Sequence, residues 1–179
     1  MGERVLVSGA AGGVGTAGVQ LAAQAGAVVT ATVRDPARHD AVAELGAHAV
    51  LNPGDEDAQA PYDAVLELVG APSLTSVLSH LAPWGRVVVI GVGGGSRMEI
   101  ELMHLMQKRV RIGGSTLRVR SRREKAEVAA DVAAHVLPVL AAGRLQIPVT
   151  ETFPLAEAQA AYDRFAAGAK FGKVVLLAP

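Results

Sequence analysis

The sequence predicts an α/β fold, a doubly wound parallel sheet of about six strands with a C-terminal helix and strand. Three observations predict it. Short runs rich in Val, Ile and Leu alternate with longer Ala- and Leu-rich stretches. The short runs are nearly continuous in apolar residues, as strands buried on both faces are. A glycine-rich turn joins the first run to the first helical stretch.

The first strand is predicted at residues 4–8 (RVLVS) and the first helix at 14–24. A second strand follows at 27–33 (AVVTATV), then a helix at 36–45 opening on Asp35-Pro36, an acceptor side chain ahead of a residue whose fixed φ suits the first helical position. Strands at 49–51, 63–68, 86–90 and 110–113 and helices at 72–81 and 99–107 continue the alternation. Ser121-Arg122-Arg123-Glu124 has the spacing of a capping box, opening a long helix that Pro138 kinks and Gly143 stops. The remainder reads as an extended segment at 148–153, an amphipathic helix at 155–167 and a last strand at 172–177. The loop at 52–61, with Asp55, Glu56 and Asp57, reads as a solvated acidic turn. The expected division is a sheet domain at 1–148 and a C-terminal segment at 149–179.

At 179 residues, half of them apolar, the chain can bury a substantial core but is short for two full domains. Its 17 basic and 17 acidic side chains cancel, which gives no electrostatic reason to expect nucleic acid or an anionic membrane as partner. Residues 6–33 carry no charge, yet six glycines interrupt them and the period changes from strand to helix and back. Neither a membrane span nor a signal peptide is predicted, and the expected location is the cytoplasm. With no cysteine there are no disulfides, thiolate nucleophiles or cysteine-ligated zinc. The five histidines show no metal-ligand spacing and read as surface or interface residues, so no metal site is predicted. The basic run at 118–125 lacks the interleaved aromatics that stack on bases and reads as a solvated loop and helix start.

Gly9-Ala10-Ala11-Gly12-Gly13-Val14-Gly15 lies between strand and helix, the context in which a glycine-rich turn binds a dinucleotide in a Rossmann fold. Gly12 offers bare backbone to an approaching pyrophosphate, and Gly15 lets the helix pack on the strand. Free amides and the positive end of the helix dipole face the phosphates. In the strict spacing the first glycine falls where Ala10 stands, so this is a variant fingerprint. The second strand ends in Thr32-Val33-Arg34-Asp35, with Arg38 one helical turn on. Asp35 is placed as a helix cap, and two guanidinium groups suit a 2′-phosphate, favouring NADPH over NADH. The alternative is that Arg34 and Arg38 are ordinary surface charges. Val69-Gly70 and Gly91-Val92 follow the fourth and fifth strands, where an open parallel sheet forms its ligand crevice. Bare backbone there would receive a nicotinamide ring, the alternative being plain connections to the next helices.

Other glycine-loop enzymes lack support. Tyr62 and Tyr162 are followed four residues on by Leu66 and Ala166, not the lysine of a short-chain dehydrogenase, and no Gly-Lys-Ser/Thr occurs.

The segments GERVLVSGAAGGVGTAGVQLAAQAGA, YDAVLELVGAPSL, LAPWGRVVVIGV, KRVRIGGSTL and ETFPLAEAQAAYDRFAAGAKFGKVVLLAP resemble the zinc-free quinone oxidoreductase branch of the medium-chain dehydrogenase/reductase superfamily, over essentially the whole chain. The resemblance implies a pyrophosphate loop at Ala10, Ala11, Gly12, Gly13 and Val14, and 2′-phosphate contacts at Arg34 and Arg38. It also implies nicotinamide-side contacts at Val69, Gly70, Gly91 and Val92. The implied activity is NADPH-dependent reduction of a quinone or an α,β-unsaturated carbonyl. A preceding chaperonin-10-like domain would supply much of the substrate pocket, whereas this chain opens at the first strand of the cofactor domain. The segment 149–179 would pack toward that other domain. One departure is that Asn52 is followed by Pro53, where family members often carry a tyrosine against the adenosine end. No general acid is identified. The competing reading is a dinucleotide-binding module, inactive by itself, that needs a second domain. A small-molecule quinone or enone is the expected partner, and a homodimer the expected assembly, because an uncovered strand edge invites association.

Overall fold

A computed structural model describes residues 2–179. Six strands form one parallel sheet: β1 (Arg4–Val7), β2 (Val28–Thr32), β3 (Ala49–Leu51), β4 (Tyr62–Glu67), β5 (Leu81–Val89) and β6 (Arg111–Gly114). Their order is β3-β2-β1-β4-β5-β6, so the winding reverses between β1 and β4 and leaves a crevice at the carboxyl ends of those strands. The crossovers carry α1 (Gly13–Gln24), α2 (His39–Glu44), α3 (Ala71–Leu78) and α4 (Leu102–Lys108). Beyond β6 come α5 (Arg122–Asp131), a π turn at Val132–Val136 and α6 (Leu137–Ala141). The chain closes with β7 (Val149–Pro154), α7 (Ala158–Ala166) and β8 (Lys173–Leu177), the two strands pairing in parallel as a separate sheet.

Neighbouring strand residues point to opposite faces, and each face has its own core. Leu6 packs with Tyr62, Val65, Val77 and Leu81 beneath α3, whereas Val7 packs with Val19, Val29 and Val42 beneath α1 and α2. Around β1, β2 and β4 both faces are covered, as unbroken apolar runs imply. At the β5–β6 end the expected double burial fails: β6 is exposed along its length, and Val88 at 40% and Ile112 at 37% lie open where no helix of the described residues covers them. Among the described residues no helix is long and apolar enough to cross a membrane.

Several predicted elements shift, each for a physical reason. The helix expected at 72–81 ends at Leu78, and β5 starts at Leu81 rather than at 86. Leu81 pairs with Tyr62, and the register slips across Trp84, whose φ of 66° breaks the ladder, before Arg86 pairs with Ala64. The helix expected at 36–45 opens as a 3₁₀ turn, Pro36–Arg38, with Asp35 accepting from the Ala37 amide as the predicted cap. The capping box at Ser121 and Glu124 is present in both directions. The long helix behind it widens into the π turn just before Pro138, which has no amide to continue the regular ladder.

The acidic loop is the clearest correction. Glu56 is 1% exposed, not solvated: its Oε2 accepts from the Gly54 amide at 3.0 Å and from Ser76 Oγ at 2.9 Å. The turn folds under α3, where these donors compensate the loss of water. Beside it the fully buried Tyr62 hydroxyl donates to the Glu56 carbonyl at 2.7 Å, and burial pushes the phenol up to about 12. Near the same end of the sheet, Arg86 grips Glu3 with two bonds of 2.7 Å, and that guanidinium holds the Glu3 carboxyl below its usual range.

Candidate dinucleotide-binding site

The loop after β1 turns at Gly9, where φ is +60°. The Gly12 amide donates back to the Gly9 carbonyl at 3.2 Å, and the Ala10 amide is tied to the end of β2 through Thr32 O at 3.0 Å. Ala10 is fully buried, so it shapes the loop and has no free donor to offer. A Cβ on Gly15 would lie 2.6 Å from both Ala10 Cα and Gly9 O; the bare residue there is what lets α1 start directly on the loop. A Cβ on Gly12 would meet only Gly9 O, at an unstrained 3.5 Å, so its open side faces outward.

Gly12 caps α1 with no side-chain hydrogen bond, and the first turn contains no acid. The first amides of this 12-residue helix thus present an unneutralised positive end at Gly13 and Val14. Lys173 lies against it. A Cβ on Gly13 would stand 2.6 Å from Lys173 Nζ, which brings the ammonium to the helix start. Nothing in the sequence around Lys173 marks it for this site, since it lies 160 residues from Gly13 and its Gly-Lys pair carries no local signature.

The C-terminal segment brings Lys173 there by docking onto this chain's own loop. The Gly172 amide donates to Ala11 O at 2.9 Å, and Phe171 packs against the core beneath α1. Gln20 of α1 exchanges two bonds with the Gln146 backbone, at 2.9 and 2.7 Å. These contacts fix β7 and β8 against the pyrophosphate loop predicted from the sequence.

At the end of β2 the two arginines differ. Arg34 is exposed and forms no ion pair among the described residues. Arg38 is partly committed: Nη2 donates to Ala169 O at 3.2 Å, and Nε lies 3.6 Å from Asp35 Oδ2. Arg34 is therefore the freer cation for a phosphate beside β2.

At the ends of β4 and β5 the glycines are needed for close backbone packing. A Cβ on Gly70 would press on Gly95 O and lie 2.9 Å from Val92 Cα, and one on Gly91 would press on Leu68 O and lie 3.0 Å from Leu68 Cα. Both are bare toward each other's turns, because the two turns cross backbone on backbone. On these turns the Val92 side chain is 51% exposed and Val69 is partly buried. Next to them Ile90, Ser115, Thr116, Leu117, Arg120 and Val128 line an open cavity of about 340 Å³ beyond β5 and β6.

The chain also matches known proteins. Residues 13–134 match the family described as zinc-binding dehydrogenase. The chain belongs to that family. It is 31% identical to mouse quinone oxidoreductase, with 98% of this chain aligned to 55% of that protein. The structure superposes on a mycobacterial quinone oxidoreductase with a TM-score of 0.82 at 26% identity, covering 98% of this chain and 56% of that one. An oxidoreductase from Salmonella enterica in complex with NADP gives 0.83 at 26% identity, with 98% and 54% covered. The likeness read from the sequence, to quinone oxidoreductases of the medium-chain dehydrogenase/reductase superfamily, is borne out. The chain spans about half the length of the quinone oxidoreductases it matches. Among the described residues no group of three or more His, Cys, Asp or Glu side chains is placed to hold a metal.

Proposed function

We propose that this chain is the cofactor-holding portion of an NADPH-dependent reductase acting on a quinone or an α,β-unsaturated carbonyl. The observation that carries the reading is the α1 start: uncapped, without an acid, faced by Lys173, and open on the outer side of Gly12. That donor set fits a pyrophosphate, because uncompensated amides and an ammonium converge where no protein carboxylate answers them. Arg34 would take the 2′-phosphate, with Arg38 assisting from its tether to Ala169. Val69 and Val92 would border the nicotinamide. When bound, NADPH supplies a hydride to the acceptor; the chain's own residues bind and orient it. Its oxidoreductase relatives and the NADP carried by the Salmonella neighbour support this reading.

Calorimetric titration with NADPH and NADH, alongside reduction of a simple quinone, tests the proposal. NADPH should bind more tightly than NADH. Absence of binding by either would overturn it, and binding without turnover would reduce it to the inactive module.

A further inference from the structure

Glu67 ends β4 with its side chain wholly inside the protein, at 0% exposure, in the middle of the crevice region. Its Oε1 accepts from the Val69 amide at 2.7 Å, the Gly70 amide at 2.8 Å and Ser8 Oγ at 2.8 Å. Ser8 Oγ in turn accepts from the Leu68 amide at 2.8 Å. Three successive amides of the β4 turn are thus held by one carboxylate oxygen and the hydroxyl it orients. The other oxygen, Oε2, accepts from Ser73 Oγ in the first turn of α3 at 2.9 Å. The backbone carbonyl of the same residue accepts from the Ile90 and Gly91 amides, at 2.9 and 3.2 Å, and so anchors the turn after β5.

One residue therefore joins the strand that leads into the glycine loop, the turn after β4 and the turn after β5. Those are the segments across which a dinucleotide stretches when it crosses the reversal between β1 and β4. A buried carboxylate is an expensive means of closing a turn, since an apolar core with a glycine turn would fold without it. Its geometry fixes the separation between two ligand-bearing edges, a distance that matters to a ligand spanning both and not to one that uses a single edge.

We propose that Glu67 is a positioning residue for the nicotinamide half of the dinucleotide, setting the β4 and β5 turns relative to the pyrophosphate loop. The proposal rests on the dinucleotide reading of the site. It acts through hydrogen bonds, so an acceptor of the same shape replaces it: the amide oxygen of glutamine can take the three donors now on Oε1, and its NH2 can donate to Ser73 Oγ.

The test compares NADPH with 2′,5′-ADP, which carries the adenosine half alone, by titration of the folded full chain. Glu67→Ala should raise the Kd for NADPH at least tenfold while leaving that for 2′,5′-ADP within threefold, and Glu67→Gln should restore most of the NADPH affinity. Ser8→Ala removes the Leu68 acceptor while keeping the carboxylate; it should shift the same ratio in the same direction by a smaller factor, and decides the matter if Glu67→Ala does not fold. Equal weakening of both ligands, as a purely structural role would give, overturns the proposal, as does unchanged NADPH binding in Ser8→Ala and Glu67→Ala. A parent chain that binds neither ligand overturns the dinucleotide reading itself, a result separate from any behaviour of the variants.

Discussion

Gly12 and Gly15 stand three residues apart where the loop runs into α1, and the structure assigns them opposite reasons for being glycine. In Gly15→Ala the new methyl would stand 2.6 Å from Ala10 Cα and from Gly9 O, against backbone that cannot swing aside as a side-chain tip could. Overpacking of this kind costs about 3 kcal/mol at the upper end of the usual range. Alanine in place of glycine within a helix returns about 1 kcal/mol. The net loss of about 2 kcal/mol should lower Tm by about 4–8 °C in a chain of this size. Gly12→Ala differs, because φ −77° and ψ 165° suit any residue and the nearest atom is 3.5 Å away. It should fold at least as well as the parent, gaining about 0.4–1 kcal/mol from the less flexible unfolded chain. Its methyl nonetheless stands on the side left open for a phosphate. Losing one amide-to-phosphate bond, about 1.5–3 kcal/mol, would raise the NADPH Kd about tenfold or more. Thermal melts by circular dichroism and NADPH titration by nicotinamide fluorescence give both readouts. If Gly12→Ala melts as low as Gly15→Ala, or binds NADPH as tightly as the parent, the division of roles is wrong.

Arg34→Ala should remove most of the preference for NADPH over NADH, and Arg38→Ala less of it, because Arg38 is held by Asp35 and Ala169 O; titration of both cofactors ranks the two variants. Lys173→Met should weaken NADPH about tenfold and flatten the dependence of affinity on salt, a result that equal salt slopes for parent and variant would exclude. The Tyr62 phenol stands at about 12, against about 10 in an unfolded chain, so its contribution to stability is intact below pH 10 and is lost as pH rises through 12. Two units correspond to roughly 2–3 kcal/mol, and the difference in denaturant midpoint between parent and Tyr62→Phe should change over that window and stay constant below it.

Much of the fold is legible in the sequence because its signals act within a few residues. Unbroken apolar runs between helical stretches announce the strands, of which β1, β2 and β4 are covered on both faces, and Val5, Leu6 and Val7 of β1 supply both cores by alternation alone. Asp35 before Pro36, Ser121 three residues before Glu124, and Gly143 past α6 mark ends through hydrogen bonds and dihedrals that span one turn. The glycine loop is legible for the same reason: strand, tight turn and helix start are contiguous. What only the tertiary structure decided are contacts between residues far apart in the chain. Lys173 reaches Gly13 because Gly172 pairs with Ala11 and Phe171 enters the core, not because of anything near residue 13. Glu56 is buried because α3 passes over its turn and offers Ser76. Gly70 and Gly91 are bare toward each other's turns because parallel strands end side by side, a closeness set by sheet register and twist. Periodicity and caps are properties of neighbours along the chain, whereas a crevice is made where separate chain ends converge, and no local pattern encodes that distance.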